Sequence, residues 1–253
     1  MTDSRERIVP GATLDWPSGT GVAFVVPAYR EEASIAAVIH GLADAFPRAR
    51  VIVVNDGSPD GTSRAARETR RATVLDLPVN LGIGGAVQTG FKLALALGSQ
   101  VVIQVDGDGQ HPAHQIRILL DAMTSSGADV VIGSRFREVS SFRSTGMRRL
   151  GIGLLRLTNR FVAGVDIADS TSGFRAYNAA ALAFLAQRYP ADYPEPEAVV
   201  MLARAGFRLH ETGVVMTERH TGQSSIRGWK SAYYMAKVLL AIALHAFRPA
   251  GIR

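Results

Sequence analysis

Cysteine is absent from the 253 residues, which excludes disulfides, thiolate catalysis and cysteine-bound zinc. No apolar run reaches the roughly 20 residues that a bilayer span needs. The N-terminus is polar and carries no apolar signal core. Acid is in deficit: 28 Lys and Arg stand against 22 Asp and Glu, for a net charge of +6. That balance favours an anionic partner such as a nucleotide, a phosphorylated lipid or a membrane surface. Nucleic acid is not expected, because basic residues do not alternate with aromatics and no nucleic-acid motif occurs. Repeats, low-complexity tracts and convincing linkers are also missing. What is present is 47% hydrophobic, enough to bury a sizeable core in one domain.

After an irregular lead-in with Pro10, Gly11, Pro17 and Gly19, Val22 to Val26 is a continuous apolar run. Such a run suits a strand covered on both faces. Pro27-Ala28-Tyr29-Arg30-Glu31 ends it, and Ile35, Val38, Ile39, Leu42 and Phe46 then share a helical face. A second strand, Val51 to Val54, meets Asn55-Asp56-Gly57-Ser58; a third, Thr73 to Leu77, precedes Asn80-Leu81-Gly82-Ile83-Gly84-Gly85 and a helix through Leu97. A helix near Pro112 to Met123 and a run from Asp129 to Arg135 follow the central strand. Strand, loop and helix alternate four times, the pattern of a mostly parallel α/β sheet with helices on both faces. Ligands of such sheets sit beyond the carboxyl ends of the strands, where every polar cluster named here falls.

The central strand, Val101-Val102-Ile103-Gln104-Val105, breaks into Asp106-Gly107-Asp108-Gly109-Gln110. Asp106 and Asp108 are two apart, so on extended backbone they point the same way. Two such carboxylates repel unless a cation lies between them. Hard oxygen ligands suit Mg²⁺ or Mn²⁺, which join protein carboxylates to a substrate's phosphates, and Gln110 would add a neutral oxygen. Taken alone, the motif is weak and reads first as a solvated Asp-Gly turn; the clusters around it raise its weight.

The second half is different. From Arg135 to Arg160 the acids are reduced to Glu138, and Leu150, Leu154, Leu157 and Phe161 form an apolar helical stripe among Arg149, Arg156 and Arg160. Asp169 to Arg175 reads as a polar turn, with Asp169 and Arg175 as a structural ion pair. Ala198 to Ala205 reads as a helix entered by Pro194-Glu195-Pro196-Glu197, Val214 to Met216 as a late strand, and Thr217 to Ser225 as a loop. Trp229 to Phe247 is a long apolar helix, suited to packing on protein within the chain or in a homo-oligomer. Its 17-residue part from Ser231 carries Lys237 centrally, which argues against crossing a bilayer.

Six of these motifs, in this order, resemble family-2 glycosyltransferases of the GT-A fold, and among them the polyprenyl-phosphate hexose synthases of the dolichyl-phosphate mannose synthase type. They are Pro27 to Glu31, Asn55 to Ser58, Asn80 to Gly84, Asp106 to Pro112, Gly133 to Phe136 and Thr171 to Arg175. The resemblance implies a Rossmann-like GT-A domain over residues 1–227, with a nucleotide-binding half (22–135) and an acceptor-binding half (136–227), followed by a C-terminal apolar helix (228–253). It implies that Pro27, Ala28, Tyr29, Glu31 and Asp56 line the base and ribose, with Gly84, Asp106 and Gly107 also at the nucleotide. Asp106, Asp108 and Gln110 would hold Mg²⁺ or Mn²⁺ on the diphosphate. Arg135 and Arg149 would sit near the acceptor phosphate, and Arg219 in a closing loop. Glu195 takes the position where relatives often carry the base. The Gln-x-x-Arg-Trp motif of processive synthases is absent.

The expected activity is transfer of a hexose from a nucleotide diphosphate sugar to a polyprenyl phosphate, in the cytoplasm and peripherally on the inner face of the membrane. A sugar-hydroxyl acceptor with Glu195 as general base is the close alternative. A nucleotidyltransferase would want a Gly-rich basic loop after the first strand, and a haloacid-type phosphatase a Thr where Gln110 stands. A membrane-associated scaffold would not need Asp56, Asp106 and Asp108. Asp56 has a plainer reading as a cap for the helix that follows it, and Gly82, Gly84 and Gly85 as a tight turn.

Overall fold

The computed structural model describes residues 21–136, 146–191, 193–217 and 237. A seven-stranded sheet runs through it. In chain order the elements are β1 (Val22–Ala28), α1 (Ile35–Ala45), β2 (Arg50–Asn55), α2 (Thr62–Glu68), β3 (Thr73–Asp76), α3 (Gly82–Ala96) and β4 (Val101–Gln104). A 3₁₀ turn (Ala113–Gln115) leads into α4 (Ile116–Ser126), β5 (Val130–Ser134), α5 (Gly146–Ala163), β6 (Arg175–Asn178), α6 (Ala179–Arg188), α7 (Pro194–Arg204) and β7 (Leu209–Gly213). The sheet order is β3-β2-β1-β4-β6-β5-β7. β6 alone is antiparallel to its neighbours, β4 and β5.

β1 is apolar throughout, and β2, β4 and β5 are apolar over most of their length, because both faces are covered. One face packs on α1 and α4 through Phe24, Ile39, Leu42, Phe46 and Leu119. The other packs on α3, α6 and α7 through Val25, Phe91, Leu182, Leu185 and Val199. On that side Phe91 meets Tyr177 and Tyr189 edge-on at 5.1 and 5.3 Å, the favoured geometry for aromatic pairs.

Two assignments from sequence are corrected. Arg175 to Asn178 is a buried strand rather than the end of a polar turn. The late strand is Leu209–Gly213; Val214 to Met216 lies just past it. The helix entered at Pro194 begins at that proline, whose missing N–H is no loss in a first turn. Trp229 to Phe247, apart from Lys237, lies outside the described residues. Among the described residues no helix is long and apolar enough to cross a membrane.

Candidate active site

β1, β2 and β4 are parallel and in register, with Ala28 opposite Asn55 and Val25 opposite Gln104. Their following loops therefore leave one sheet edge together, where such folds bind ligands. A cleft of about 180 Å³ opens there, lined by Pro27, Ala28, Tyr29, Glu31, Asp56, Ile83, Ala86, Asp106, Gly107 and Asp108. Seven of the eight expected nucleotide-site residues are in that lining. A wider open groove of about 960 Å³ over α2 includes Glu32, Asp60, Arg64 and Arg67. It is floored by solvent-facing ion pairs such as Arg64–Glu32 at 3.0 Å, and holds none of the candidate residues.

Gly84 is the eighth. It is buried in the first turn of α3, where a Cβ would lie 2.4 Å from the Pro190 carbonyl oxygen and 2.8 Å from that of Ala191. Glycine there lets the helix start press against the backbone that leads to α7. Its neighbours Ile83 and Ala86 reach the cleft instead.

Asp56 is buried, and its Oδ1 accepts the Leu81 N–H at 2.7 Å. It caps a helix, but the helix is α3 and not the one that follows it in sequence. The start of α2 is served by Asp60, whose Oδ1 accepts the Thr62 N–H at 3.2 Å. Asp56 thus ties the β2 loop to the α3 start while facing the cleft.

Asp108 is buried, and its Oδ1 accepts the Gln110 N–H at 3.0 Å. The Asp106 side chain is 30% exposed, and the His111 Nε2 stands 3.7 Å from its Oδ2. The Asp106 backbone N–H donates to His111 Nδ1 at 3.0 Å, so Nδ1 is an acceptor and the ring is neutral. Burial pushes the His111 pKa down to about 4, against the opposing pull of Asp108. Stacked on Phe174 at 4.7 Å, His111 braces the Asp106 turn. It has no claim as a ligand from sequence, and its spacing five residues past Asp106 was the available signal.

Both carboxylates line the cleft. This donor set fits Mg²⁺ or Mn²⁺ whose remaining positions are filled by phosphate oxygens. No group of three or more His, Cys, Asp or Glu placed to hold an ion occurs among the described residues; the two carboxylates are by themselves a partial donor set and not a closed cage. Gln110 is outside the cleft lining; its carbonyl accepts the Thr217 N–H at 3.1 Å.

One layer below, Gln104 is fully buried, and its Oε1 accepts from Tyr189 at 3.2 Å and from Tyr177 at 3.5 Å. A Cβ on Gly173 would lie 3.0 Å from Asp106 Oδ1 and 3.2 Å from Gln104 Nε2. Glycine at 173 therefore lets the turn before β6 close on the central strand. A glutamine inside an apolar strand, two residues before Asp106 and on the same face, was the sequence signal for this layer.

Arg135 lies at the end of β5. Its Nε and Nη2 donate to the Asp169 oxygens at 2.8 and 2.7 Å, its backbone N–H to Asp169 at 3.1 Å, and Nη2 also to Thr171 Oγ1 at 3.0 Å. Burial works against the Arg135 charge, but the Asp169 carboxylate outweighs it and the pKa is raised. The ion pair expected between Asp169 and Arg175 is not formed. Arg175 is buried and donates to three carbonyls instead: Ser172 and Ser170, each at 2.7 Å, and Glu195 at 3.0 Å.

Glu195, at the start of α7, is half-buried. Burial raises its pKa; Arg175 opposes this, and Asp106 adds to it. Glu195 therefore stands within electrostatic reach of the Asp106 carboxylate. Arg149 is on α5, but its side chain lies outside the described residues, as does all of Arg219.

The family model for glycosyl transferase family 2 matches residues 23–185. Polyprenol monophosphomannose synthase of Mycolicibacterium smegmatis is 32% identical over 223 residues, covering 85% of this chain and 84% of that protein. Undecaprenyl-phosphate mannosyltransferase of Micrococcus luteus is 33% identical, covering 81% and 86%. Among solved structures, glucosyl-3-phosphoglycerate synthase from Mycobacterium tuberculosis, in complex with Mn²⁺, UDP and glucosyl-3-phosphoglycerate, superposes with a TM-score of 0.63 at 20% identity. That superposition covers 89% of this chain and 79% of that one. The last likeness is one of fold.

Proposed function

The chain belongs to glycosyl transferase family 2, and from that premise we propose that it moves one hexose from a nucleotide diphosphate sugar to a polyprenyl phosphate. The observation that carries the acceptor is similarity over more than four-fifths of both chains to two relatives whose names specify a polyprenol-linked mannose product and an undecaprenyl-phosphate acceptor. Mannose is accordingly the first hexose to test.

In this reading the cleft takes the nucleotide between the Tyr29 loop and the α3 start, with Asp56 and Glu31 as its polar contacts. A divalent cation held by Asp106 and Asp108 would offset charge on the departing diphosphate. The acceptor phosphate is already anionic near neutral pH, so its oxygen attacks the anomeric carbon without a base, and a single in-line displacement inverts that centre. Arg135 presents a planar donor suited to phosphate, with Arg149 and Arg219 as further cations of the acceptor side.

The lipid substrate implies contact with a bilayer surface. Leu154, Leu157 and Phe161 on α5 are exposed, Phe161 to 79%; Arg160 of the same helix is exposed too, and Arg156, also exposed, is paired with Asp166. An exposed apolar stripe on a helix that also carries an exposed Arg160 suits the headgroup boundary of an anionic membrane. A sugar-hydroxyl acceptor remains as a second reading on one observation: Glu195, whose pKa burial raises and whose charge feels that of Asp106, has the character of a general base.

The test is a panel of nucleotide sugars incubated with a short polyprenyl phosphate and Mn²⁺, with products identified by mass. A glycosylated lipid phosphate that disappears with chelator is expected. Product formed equally well in chelator would refute the metal-dependent form of the proposal.

A further inference from the structure

Arg135 is not a loose surface cation. Asp169, its partner, is completely buried, while the Arg135 side chain retains 22% exposure. The Asp169 carboxylate receives three donors from Arg135, and Thr171 Oγ1 lies 3.1 Å from its Oδ1. The backbone carrying Asp169 is itself held. Glu211, buried on β7, accepts the Asp169 N–H at 2.7 Å through Oε1 and the Ala168 N–H at 3.0 Å through Oε2. β7 runs parallel to β5 with Glu211 opposite Ile132, three residues before Arg135. One chain of charge-assisted hydrogen bonds therefore runs from the edge of the sheet, through the 168–171 turn, and back to the guanidinium at the end of β5.

We infer that Asp169 and Glu211 are positioning residues that hold the Arg135 guanidinium in place for the acceptor phosphate before the acceptor arrives. The inference rests on reading Arg135 as an acceptor-side cation. A buried carboxylate that serves only to rivet a loop needs no accessible partner, and a buried ion pair contributes little net stability compared with apolar packing. Here the cation end of the pair is the accessible one, and Asp106 of the cleft lies close enough for its charge to act on Arg135. Two-point donation to Asp169 fixes the plane of the guanidinium, and a fixed donor loses less freedom on meeting phosphate than a mobile one.

The experiment measures the acceptor KM, with a short polyprenyl phosphate, and the Kd for nucleoside diphosphate with Mn²⁺, in Arg135→Lys, Asp169→Asn, Thr171→Val, Glu211→Gln and Arg135→Lys/Asp169→Asn. Asp169→Asn is expected to raise acceptor KM by about 10- to 100-fold, the scale of a misplaced positioning group, with nucleotide Kd unchanged. Glu211→Gln and Thr171→Val shift KM in the same direction by less, and Thr171 is exposed, so its variant folds even where Asp169→Asn does not. The double variant is no worse than Arg135→Lys alone, because both changes remove one interaction. If Arg135→Lys raises acceptor KM while the Asp169, Thr171 and Glu211 variants leave it at wild type, the positioning chain is wrong and the Arg135 reading survives. Additive losses in the double variant would also overturn it. An Arg135→Lys enzyme with wild-type acceptor KM removes the reading, and the inference with it.

Discussion

At the scale of single residues, neighbouring carboxylates are expected to do different work, and their roles separate experimentally. Asp108→Ala should abolish transfer and the Mn²⁺-dependent part of nucleotide binding. Because a ligand that binds only the folded state raises its stability, the check is the thermal shift given by nucleotide diphosphate with and without Mn²⁺, which the variant should lose. Glu195→Gln should be mild for a phosphate nucleophile and cost on the order of 10²-fold or more if a hydroxyl needs a base. The same variant has a stability signature. The folded Glu195 pKa lies above its ordinary value, chiefly through burial. The folded state therefore holds a proton that the unfolded chain releases, and stability falls as pH rises from the ordinary carboxyl range through the folded pKa. Glu195→Gln should remove that component, so its melting temperature should decline less than wild type over this window. An unchanged slope would contradict the raised pKa. That Asp106 and Asp108 share the cleft was legible because they stand two apart at the end of one strand. The partner of Asp169 was not: Arg175 is near in sequence, but its charge is satisfied by three buried carbonyls, while Arg135 arrives from a strand that sequence does not place beside Asp169.

At the scale of elements, α3 gives Ile83 and Ala86 to the cleft proposed for the nucleotide. Its first turn is tied to the β2 loop by Asp56 and pressed on the Pro190–Ala191 backbone at Gly84. Asp56→Ala should lose a cap contact of about 1 kcal/mol and also weaken nucleoside diphosphate binding. Chemical denaturation and titration calorimetry together check this, and a stability loss with wild-type affinity would reduce Asp56 to a cap. Gly84→Ala forces a Cβ into backbone oxygens that have no side-chain freedom to yield. A destabilisation of roughly 1–3 kcal/mol is expected, typical of overpacking, measured by the same denaturation. The strands β1, β2 and β4 could be read from sequence because burial on both faces leaves a mostly apolar run, interrupted in β4 only by Gln104. β6 and β7 could not. Arg-Ala-Tyr-Asn hides a buried strand behind a charged residue satisfied by backbone, and Leu-His-Glu-Thr-Gly is a polar strand at the sheet edge. Their identity comes from pairing with β4 and β5, which no local pattern records.

At the scale of the whole molecule, the proposed function requires that the sheet edge proposed for the nucleotide be brought to a lipid. Association should be peripheral, strengthened by anionic headgroups at roughly 1 kcal/mol per nearby basic residue and weakened by salt. Vesicle co-sedimentation should show wild type bound to anionic vesicles at low salt. Leu157→Ser/Phe161→Ser should bind about tenfold or more weakly, since each side chain contributes about 1.5–3 kcal/mol when buried. Equal binding of this variant would move the membrane contact away from α5. The central claim is that the nucleophile is a lipid phosphate, and one comparison meets it directly. With nucleotide sugar and Mn²⁺ fixed, a short polyprenyl phosphate, the corresponding polyprenol and a panel of free saccharides are offered as acceptors, and products are identified by mass. The account predicts one hexose added to the polyprenyl phosphate and none to the polyprenol or the saccharides. Hexose added to a saccharide hydroxyl, with the polyprenyl phosphate untouched, would contradict it.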